Sequence, residues 1–511
     1  MATDTIDTVA IPEEQGIERH GIERVSPETR THVRIFDNFT MWLSANLVIS
    51  TIALGALGSV IFNLGFWDSL AAILVFNVLG VLPPAIFATL GPRLGLRQMT
   101  ISRFAFGWVG GIIMAIFNVA ACVGWSAFNV VIGGQLVAAL ACGPQALETC
   151  NASMLGLTLS GTVWEALGII LIALLTTLVS IYGYRYVHRY ERWSWIPMAI
   201  IFVIMAVLLG MSGKHFTLAS TTLTGAVEIA SLVSFGGAVF GFATGWSSYA
   251  ADYNVNQPEN TNPPRVFWLT FLGIFIPCVL LELLGYQLAA AFGTPYSTDL
   301  GPVLNHALSP LGGFGSFLVF LLALSIIANN IPNDYSLGLT VQVFGRAWQR
   351  VPRYVWTLIG AVIYVVLAVV VARNFYSTLN SFLLLIAYWL APWSIILIVE
   401  HFIIRKGRYN VNDWNTRRKL PLGWSALVAM AFGLFGAFLG FAQSLALPNQ
   451  ANPVPIMGVI GGLVNKAGGG MDVGFELGAI FALVLYLILR PIESRQNRAR
   501  TFGDDAAEEV A

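Results

Sequence analysis

The chain has 511 residues, of which 56% are hydrophobic and only 11% are Asp, Glu, Lys or Arg, and its formal net charge is zero. Soluble proteins carry about 25% charged residues, so an ordinary soluble enzyme and a disordered chain are excluded. A neutral chain has no basic surface with which to release counterions from nucleic acid, and 4 Cys are too few for a disulfide scaffold; what remains is a polytopic membrane protein.

A bilayer crossing needs about 20 apolar residues. Windows of that size predict twelve helices, near 39–62, 69–90, 104–141, 164–184, 193–211, 229–251, 266–291, 314–344, 355–372, 381–404, 424–445 and 473–490. The third and eighth exceed one crossing, which implies tilt or turns outside the membrane. Basic residues test the count, because cytoplasmic loops are rich in Lys and Arg. With the N-terminus inside, only Lys214, Arg373 and Lys466 of the 27 Lys and Arg fall outside. One missed helix would send every later loop to the wrong side, so the asymmetry supports twelve spans with both termini cytoplasmic. Residues 1–38 are polar, lack a signal-peptide core and read as a cytoplasmic tail, as do residues 491–511. Cys142 and Cys150 share the outside loop between the third and fourth spans, where a bridge and two free thiols both stay open. Cys122 and Cys278 lie within spans and read as small packing residues.

Several function classes lack their signatures. There is no phosphate-binding G-x-x-x-x-G-K-[ST] loop, no H-E-x-x-H, no cluster with metal-ligand spacing and no filter sequence of a potassium channel. The chain therefore reads as no enzyme, with no catalytic residues, no metal and no cofactor. His20, His32, His188, His215, His306 and His401 fall in tails, loops or span ends.

The informative residues are polar groups inside spans, where a polar side chain is costly and faces a cavity or a partner. The first span carries Ser50-Thr51 and then Gly55 and Gly58; the third carries Asn118, Cys122, Trp125 and Asn129. Offsets of 4, 7 and 11 put those four on one helical stripe. The sixth reads Ser234-Phe235-Gly236-Gly237, then Gly241 and Gly245-Trp246-Ser247-Ser248-Tyr249. The eighth centres on Ala328-Asn329-Asn330-Ile331-Pro332-Asn333-Asp334, where Pro332 has no amide and so frees the carbonyl of Ala328. The first and sixth spans are interrupted by Gly and stand five helices apart. Interrupted helices at matching places in two halves mark the site of an inverted-repeat transporter. The halves are then 39–211 and 229–404 within a twelve-helix domain of 39–490, with helices eleven and twelve (424–490) appended.

These residues also carry a family likeness. Ala121-Cys122-Val123-Gly124-Trp125-Ser126-Ala127-Phe128-Asn129, with the lead-in Ser102-Arg103-Phe104-Ala105-Phe106-Gly107, resembles the third helix of purine–cytosine permeases. Tyr249-Ala250-Ala251-Asp252-Tyr253, Phe271-Leu272-Gly273 and Leu281-Glu282-Leu283-Leu284-Gly285 are similar to that family's sixth and seventh helices, and Asn329-Asn330-Ile331-Pro332-Asn333 to its eighth. The likeness covers roughly 35–490 and is to the fungal-type cytosine–purine branch of the nucleobase:cation symporter-1 family.

The resemblance implies that Trp125 and Trp246 stack on the two faces of a planar heterocycle and that Asn129 hydrogen-bonds its edge. Asn329, Pro332 and Asn333 contribute from the eighth helix, and Ser50 or Thr51 from the first. The chemistry of these residue types agrees. Indole faces stack on any flat ring, and an Asn amide offers both a donor and an acceptor to a lactam or amidine edge. Sodium-coupled relatives present adjacent Ser/Thr hydroxyls beside the freed carbonyl. Here Ala328 and Asn329 stand in those places, which favours a co-transported proton over sodium. Glu282 and Asp334 are the proton-carrying candidates, and Asp252, near the cytoplasmic end of the sixth span, is a gating candidate.

The sequence thus predicts an all-α polytopic membrane protein with twelve transmembrane helices, a five-plus-five inverted repeat (LeuT-like) plus two C-terminal helices. The expected function is a secondary active symporter in the plasma (cell inner) membrane that imports cytosine, adenine, guanine or hypoxanthine by alternating access. Its expected partners are the nucleobase and membrane lipid, with no obligate protein partner evident. The alternatives are carriage of another planar nitrogen heterocycle, such as allantoin, a hydantoin or a vitamin, and a membrane receptor that binds without transport.

Overall fold

In hydrocarbon, a backbone must satisfy its own N–H and C=O groups, and an isolated segment can do so only as a helix. The computed structural model describes residues 21–30, 33–181, 184–213, 216–292, 299–442 and 471–509, and helices dominate them. In chain order they are α1 (Asp37–Asn46), α2 (Ile49–Val60), α3 (Phe66–Ala88), α4 (Leu90–Leu94), α5 (Gln98–Ile101), α6 (Arg103–Cys142), α7 (Gly161–Ile181) and α8 (Tyr184–Met211). Then come α9 (Ala226–Thr244), α10 (Pro263–Phe292), α11 (Leu300–Leu308), α12 (Gly313–Gln342), α13 (Arg346–Gln349), α14 (Arg353–Val371), α15 (Phe375–Val399), α16 (Trp424–Ala442) and a last helix, α17, at Gly474–Glu509.

Among the described residues, nine helical stretches are long and apolar enough to cross a membrane, or ten when the bent pair α1–α2 counts as one. One of the nine, Arg353–Ile404, runs 52 residues. It is α14 and α15 joined by a 3-10 turn at Ala372–Asn374, so it holds two crossings. The apolar part of α8, Trp195–Met211, adds a shorter one. The arrangement is consistent with the twelve expected spans. Outward faces are aliphatic, as on α14, where Val362, Val366 and Val370 are all at least 65% exposed. Polar side chains such as Asn77, Asn118 and Gln135 are buried inside.

The first span is not broken where the sequence suggested. The first span breaks at Leu47–Val48, where α1 and α2 meet at a 52° bend, with Val48 extended at φ −138° and ψ 165°. Neither Gly nor Pro stands there. Side chains replace the missing helix bonds: Asn46 Nδ2 donates to the Trp42 carbonyl at 2.8 Å, and Thr51 Oγ1 donates to the Asn46 carbonyl at 2.7 Å. Gly55 lies instead within α2 as a contact point. A Cβ on it would sit 1.9 Å from the Glu282 carbonyl oxygen of α10, and one on Gly285 would sit 2.1 Å from the Ile52 oxygen. The sixth span does break at a glycine. After Thr244 the chain tightens into a 3-10 helix, Gly245–Tyr253, with Tyr249 off helical geometry at φ −142°. Of the long third span, Gly107 (φ 67°) turns the chain before the crossing proper begins.

Outside the helices, β1 (Asn151–Met154) and β2 (Leu157–Ser160) form an antiparallel hairpin between α6 and α7. Cys142 and Cys150 are disulfide-bonded at its base, with Cα atoms 5.9 Å apart, which closes the question the sequence left open. The Arg-bearing loops converge at one end of the bundle. Arg405 Nη2 donates to the Phe104 carbonyl at 2.8 Å, Arg103 Nη2 to the Val343 carbonyl at 2.9 Å, and Arg353 Nη2 to the Ser180 carbonyl at 3.2 Å. Of the expected N-terminal tail, residues 1–20 and 31–32 lie outside the described residues. Residues 21–30 dock on that same end, with Arg30 bonded to the carbonyls of Val25 and Pro92.

Gly55→Ala is expected to cost about 3 kcal/mol, the upper end for overpacking a core, read as a lowered unfolding temperature in detergent. An unchanged temperature would mean that α2 and α10 are not so closely apposed. A second expectation concerns thiols. Under denaturing conditions two cysteines (Cys122 and Cys278) should label before reduction and four after it. Four labels without reduction would disprove the bridge.

Candidate functional site

The two breaks and the polar stripe meet in one place. A buried cavity is lined by Ser50 of α2, Trp125 and Asn129 of α6, Phe242 of α9, Gly245, Trp246 and Tyr249 of the 3-10 segment, and Asn329 and Asn333 of α12. The lining side chains are all buried, none more than 8% exposed.

One wall is amide and hydroxyl. Ser50 Oγ donates to Asn129 Oδ1 at 2.7 Å. Asn329 Nδ2 donates to Ser50 Oγ and to Asn129 Oδ1, both at 2.9 Å. Asn129 Nδ2 reaches Asn330 Oδ1 at 3.3 Å, Asn333 Nδ2 reaches the same oxygen at 3.4 Å, and Tyr249 OH donates to Asn333 Oδ1 at 3.0 Å. Each Asn has two donors and two acceptor sites, so the network leaves capacity for a ligand.

The other wall is aromatic. Trp125 is held edge-to-face by Phe242 and Phe382, with centroids at 5.4 and 5.0 Å. Trp246 is fixed through its indole nitrogen, which donates to Asn46 Oδ1 at 2.8 Å, and meets Trp42 edge-on at 5.4 Å. No lining residue is charged, so the arrangement suits a flat, uncharged molecule with donors and acceptors on its edge.

The structure therefore gathers Ser50, Trp125, Asn129, Trp246, Asn329 and Asn333, drawn from four separate spans. It keeps Thr51 and Pro332 out of the lining. Thr51 serves the helix break, and the Pro332 carbonyl accepts the Tyr253 hydroxyl at 3.2 Å. Glu282 and Asp334 are buried but do not line the cavity. Glu282 Oε2 accepts Asn77 Nδ2 at 2.7 Å, between α10 and α3. Asp334, next to Asn333 on α12, accepts instead from Ser126 of α6 at 3.3 Å and from Tyr364 of α14 at 3.4 Å. Asp252 is likewise buried and outside the lining. Its Oδ1 accepts the Gln98 amide at 2.7 Å, and its carbonyl accepts Arg97 Nη1 at 2.6 Å.

Sequence reasoning missed Phe242, Gly245 and Tyr249, and the supporting Asn46 and Asn330. Tyr249 had a signal. It follows Trp246 by three residues, which eclipse each other in a helix of three residues per turn, and the two rings meet at 5.5 Å. Asn46 had none, because its partner Trp246 is 200 residues away.

The folded arrangement, with two broken helices flanking a buried cavity, defines a membrane transporter of the inverted-repeat class. The family described as permeases for cytosine/purines, uracil, thiamine and allantoin matches residues 25–461, and the chain belongs to it. It is 40% identical to the purine-cytosine permease fcyB of Emericella nidulans, over 94% of this chain and 89% of that one. It is 37% identical to a purine-cytosine permease of Saccharomyces cerevisiae, over 93% and 86%. Among solved structures its fold matches MHP1, a nucleobase-cation-symport-1 family transporter in a closed conformation with bromovinylhydantoin bound. The TM-score is 0.68 at 16% identity, covering 94% of this chain and 96% of that one.

Asn46→Ala would leave the buried Trp246 N–H without its acceptor, a loss of about 1–3 kcal/mol. The expected outcome is a lowered unfolding temperature with retained membrane insertion; an unchanged temperature would show that Asn46 does not hold the ring.

Proposed function

We infer that the protein is a secondary active symporter that carries a purine or pyrimidine base, of the kind of cytosine, adenine, guanine or hypoxanthine, into the cell by alternating access. The observation that carries this reading is the pairing of two indoles with the Ser50–Asn129–Asn329 cluster in one uncharged cavity. Stacking on Trp125 and Trp246 holds the ring whatever its type. Asn129, with Asn329, Asn333 and Ser50 around it, matches donors and acceptors on the ring edge. The names of the relatives support the substrate class. Residues 39–211 and 229–404 act as the two repeats, and Asp252 with Arg97 and Gln98 forms the inner gate. The Arg-rich end faces the cytoplasm of a plasma-membrane protein.

A proton is the coupled ion in this reading. Sodium wants several oxygen ligands, and Ala328 offers only its backbone. Glu282, on α10, and Asp334, on α12 next to the cavity-lining Asn333, are the buried carboxyls that would carry a proton.

The test is uptake of labelled cytosine and adenine by cells lacking their own permeases. Saturable accumulation above the external concentration, stronger at acid pH, indifferent to sodium and abolished by a protonophore, is expected. Binding without accumulation would replace the transporter with a receptor, and sodium dependence would overturn the coupling. Trp125→Ala should lower uptake of every base at least tenfold, because stacking is shared. Asn129→Ala should reorder the bases in competition assays, because hydrogen bonds discriminate. An unchanged ranking in a surface-expressed Asn129→Ala would place the recognition edge elsewhere.

A further inference from the structure

The three carboxyls that the sequence singled out differ in what surrounds them. Asp252 accepts the Gln98 amide at 2.7 Å and lies in the field of the Arg97 cation. Asp334 accepts two hydroxyls, from Ser126 and Tyr364, and lies in the field of Arg353. Both places provide donors and positive charge for an ionised group. Glu282 has neither in that measure. It is fully buried on α10, and its one hydrogen bond among the described residues comes from Asn77 Nδ2 of α3, at 2.7 Å. Its titratable neighbour is the Cys278 thiol of its own helix. From α2 it meets backbone at Gly55, and from α3 the uncharged Asn77. α1, α8, α9 and α11 also pack on α10, yet among the described residues no cation or second carboxylate of theirs acts on Glu282.

The hydrogen bonds of the Glu282–Asn77 pair fall short by a donor. Both hydrogens of the Asn77 amide are spent, one on Glu282 Oε2 and one on the Ile73 carbonyl at 3.0 Å. Glu282 Oε1 and Asn77 Oδ1 remain as two buried acceptors with no partner among the described residues. An unpaired buried charge is far costlier than a neutral acid. A proton on Glu282 removes the charge and supplies an O–H donor in the same step.

We propose that, of the two proton-carrying candidates, Glu282 is the one that takes up the co-transported proton, with Asn77 as its positioning residue. This deepens the coupling reading above and rests on it. The proton adds to the Glu282 carboxylate from the outside and leaves it to the inside in each cycle. The site is tied to the base-stacking ring. Cys278, four residues and so about one turn before Glu282, donates its thiol to Asn46 Oδ1 at 3.5 Å. That oxygen also takes the Trp246 indole N–H at 2.8 Å. Movement of Trp246 on a base therefore reaches α10 one turn from the carboxyl.

The test uses the purified full-length protein in liposomes at clamped membrane potential, with the lumen about one pH unit more alkaline than the bath. One pH unit is worth about a factor of ten, so a carrier moving one proton per base accumulates labelled cytosine or adenine about tenfold. Glu282→Gln is expected to abolish that accumulation while labelled and unlabelled base still exchange across the membrane. Asn77→Asp sets a second carboxyl beside Glu282, and two such groups hold a shared proton to higher pH. The midpoint of the pH profile of uptake should then move alkaline by about one unit or more. A merely structural Asn77 would lower uptake alike at every pH. Accumulation retained in Glu282→Gln, or abolished by Asp334→Asn alone, would overturn the assignment. Should Glu282→Gln fail to fold, the Asn77→Asp midpoint decides, and an unmoved midpoint overturns it. No uptake by the unaltered protein would refute the transport reading and this proposal with it. Uptake by the unaltered protein that ignores the gradient would refute proton coupling, so the failures are distinct.

Discussion

Everything at the buried cavity depends on how the chain replaces helix hydrogen bonds that it gives up inside the membrane. Water cannot serve there, and each orphaned backbone group costs several kcal/mol. At residues 46–51 two side chains do the work: Asn46 caps the end of α1, and Thr51 covers the Asn46 carbonyl. Because Asn46 spends its amide nitrogen on the backbone, its Oδ1 remains for the Trp246 indole. The break in the first span thereby positions Trp246 of the sixth.

The same economy of contacts explains why the cavity is surrounded by rigid structure. α2 and α10 approach at Gly55 and Gly285 until backbone touches backbone. Small residues permit this, and between helices in lipid such packing stands in for the missing hydrophobic drive. α16 and α17 repeat the device, where a Cβ on Gly440 would lie 2.5 Å from the Gly474 Cα. The α12–α6 seam is held differently, by Asn118 on Thr340 at 2.8 Å and Ser126 on Asp334 at 3.3 Å. Polar glue at that seam keeps Asn129 and Asn329 in register across the cavity.

Much of this was legible in the sequence. Span positions followed from hydropathy, because the solvent is uniform and the length of a crossing is fixed. The third-helix stripe placed Trp125 and Asn129 on one face through periodicity alone. The eighth helix announced itself by its load of three Asn and one Asp around Pro332. Glycine weakens helices, so Gly55 and Gly58 suggest a break in the first span, yet in lipid a glycine in a helix more often marks close packing. The true break, at Leu47–Val48, has no weak residue to show it. Asp334 follows Asn333 in sequence, but neighbours on a helix differ by about 100° of rotation, so it meets Ser126 and Tyr364 rather than the cavity.

By itself, the sequence determined that the chain spans a membrane, where its apolar helices lie, and which residue types are polar at membrane depth. These are properties of composition and period, and each is local. Only the tertiary structure decided that Ser50 and not Thr51 reaches the cavity, and that Tyr249 and Phe242 complete its wall. Those facts concern side-chain direction and contacts between residues up to about 280 positions apart. Such contacts are selected by the mutual packing of helices, which no single stretch of sequence contains.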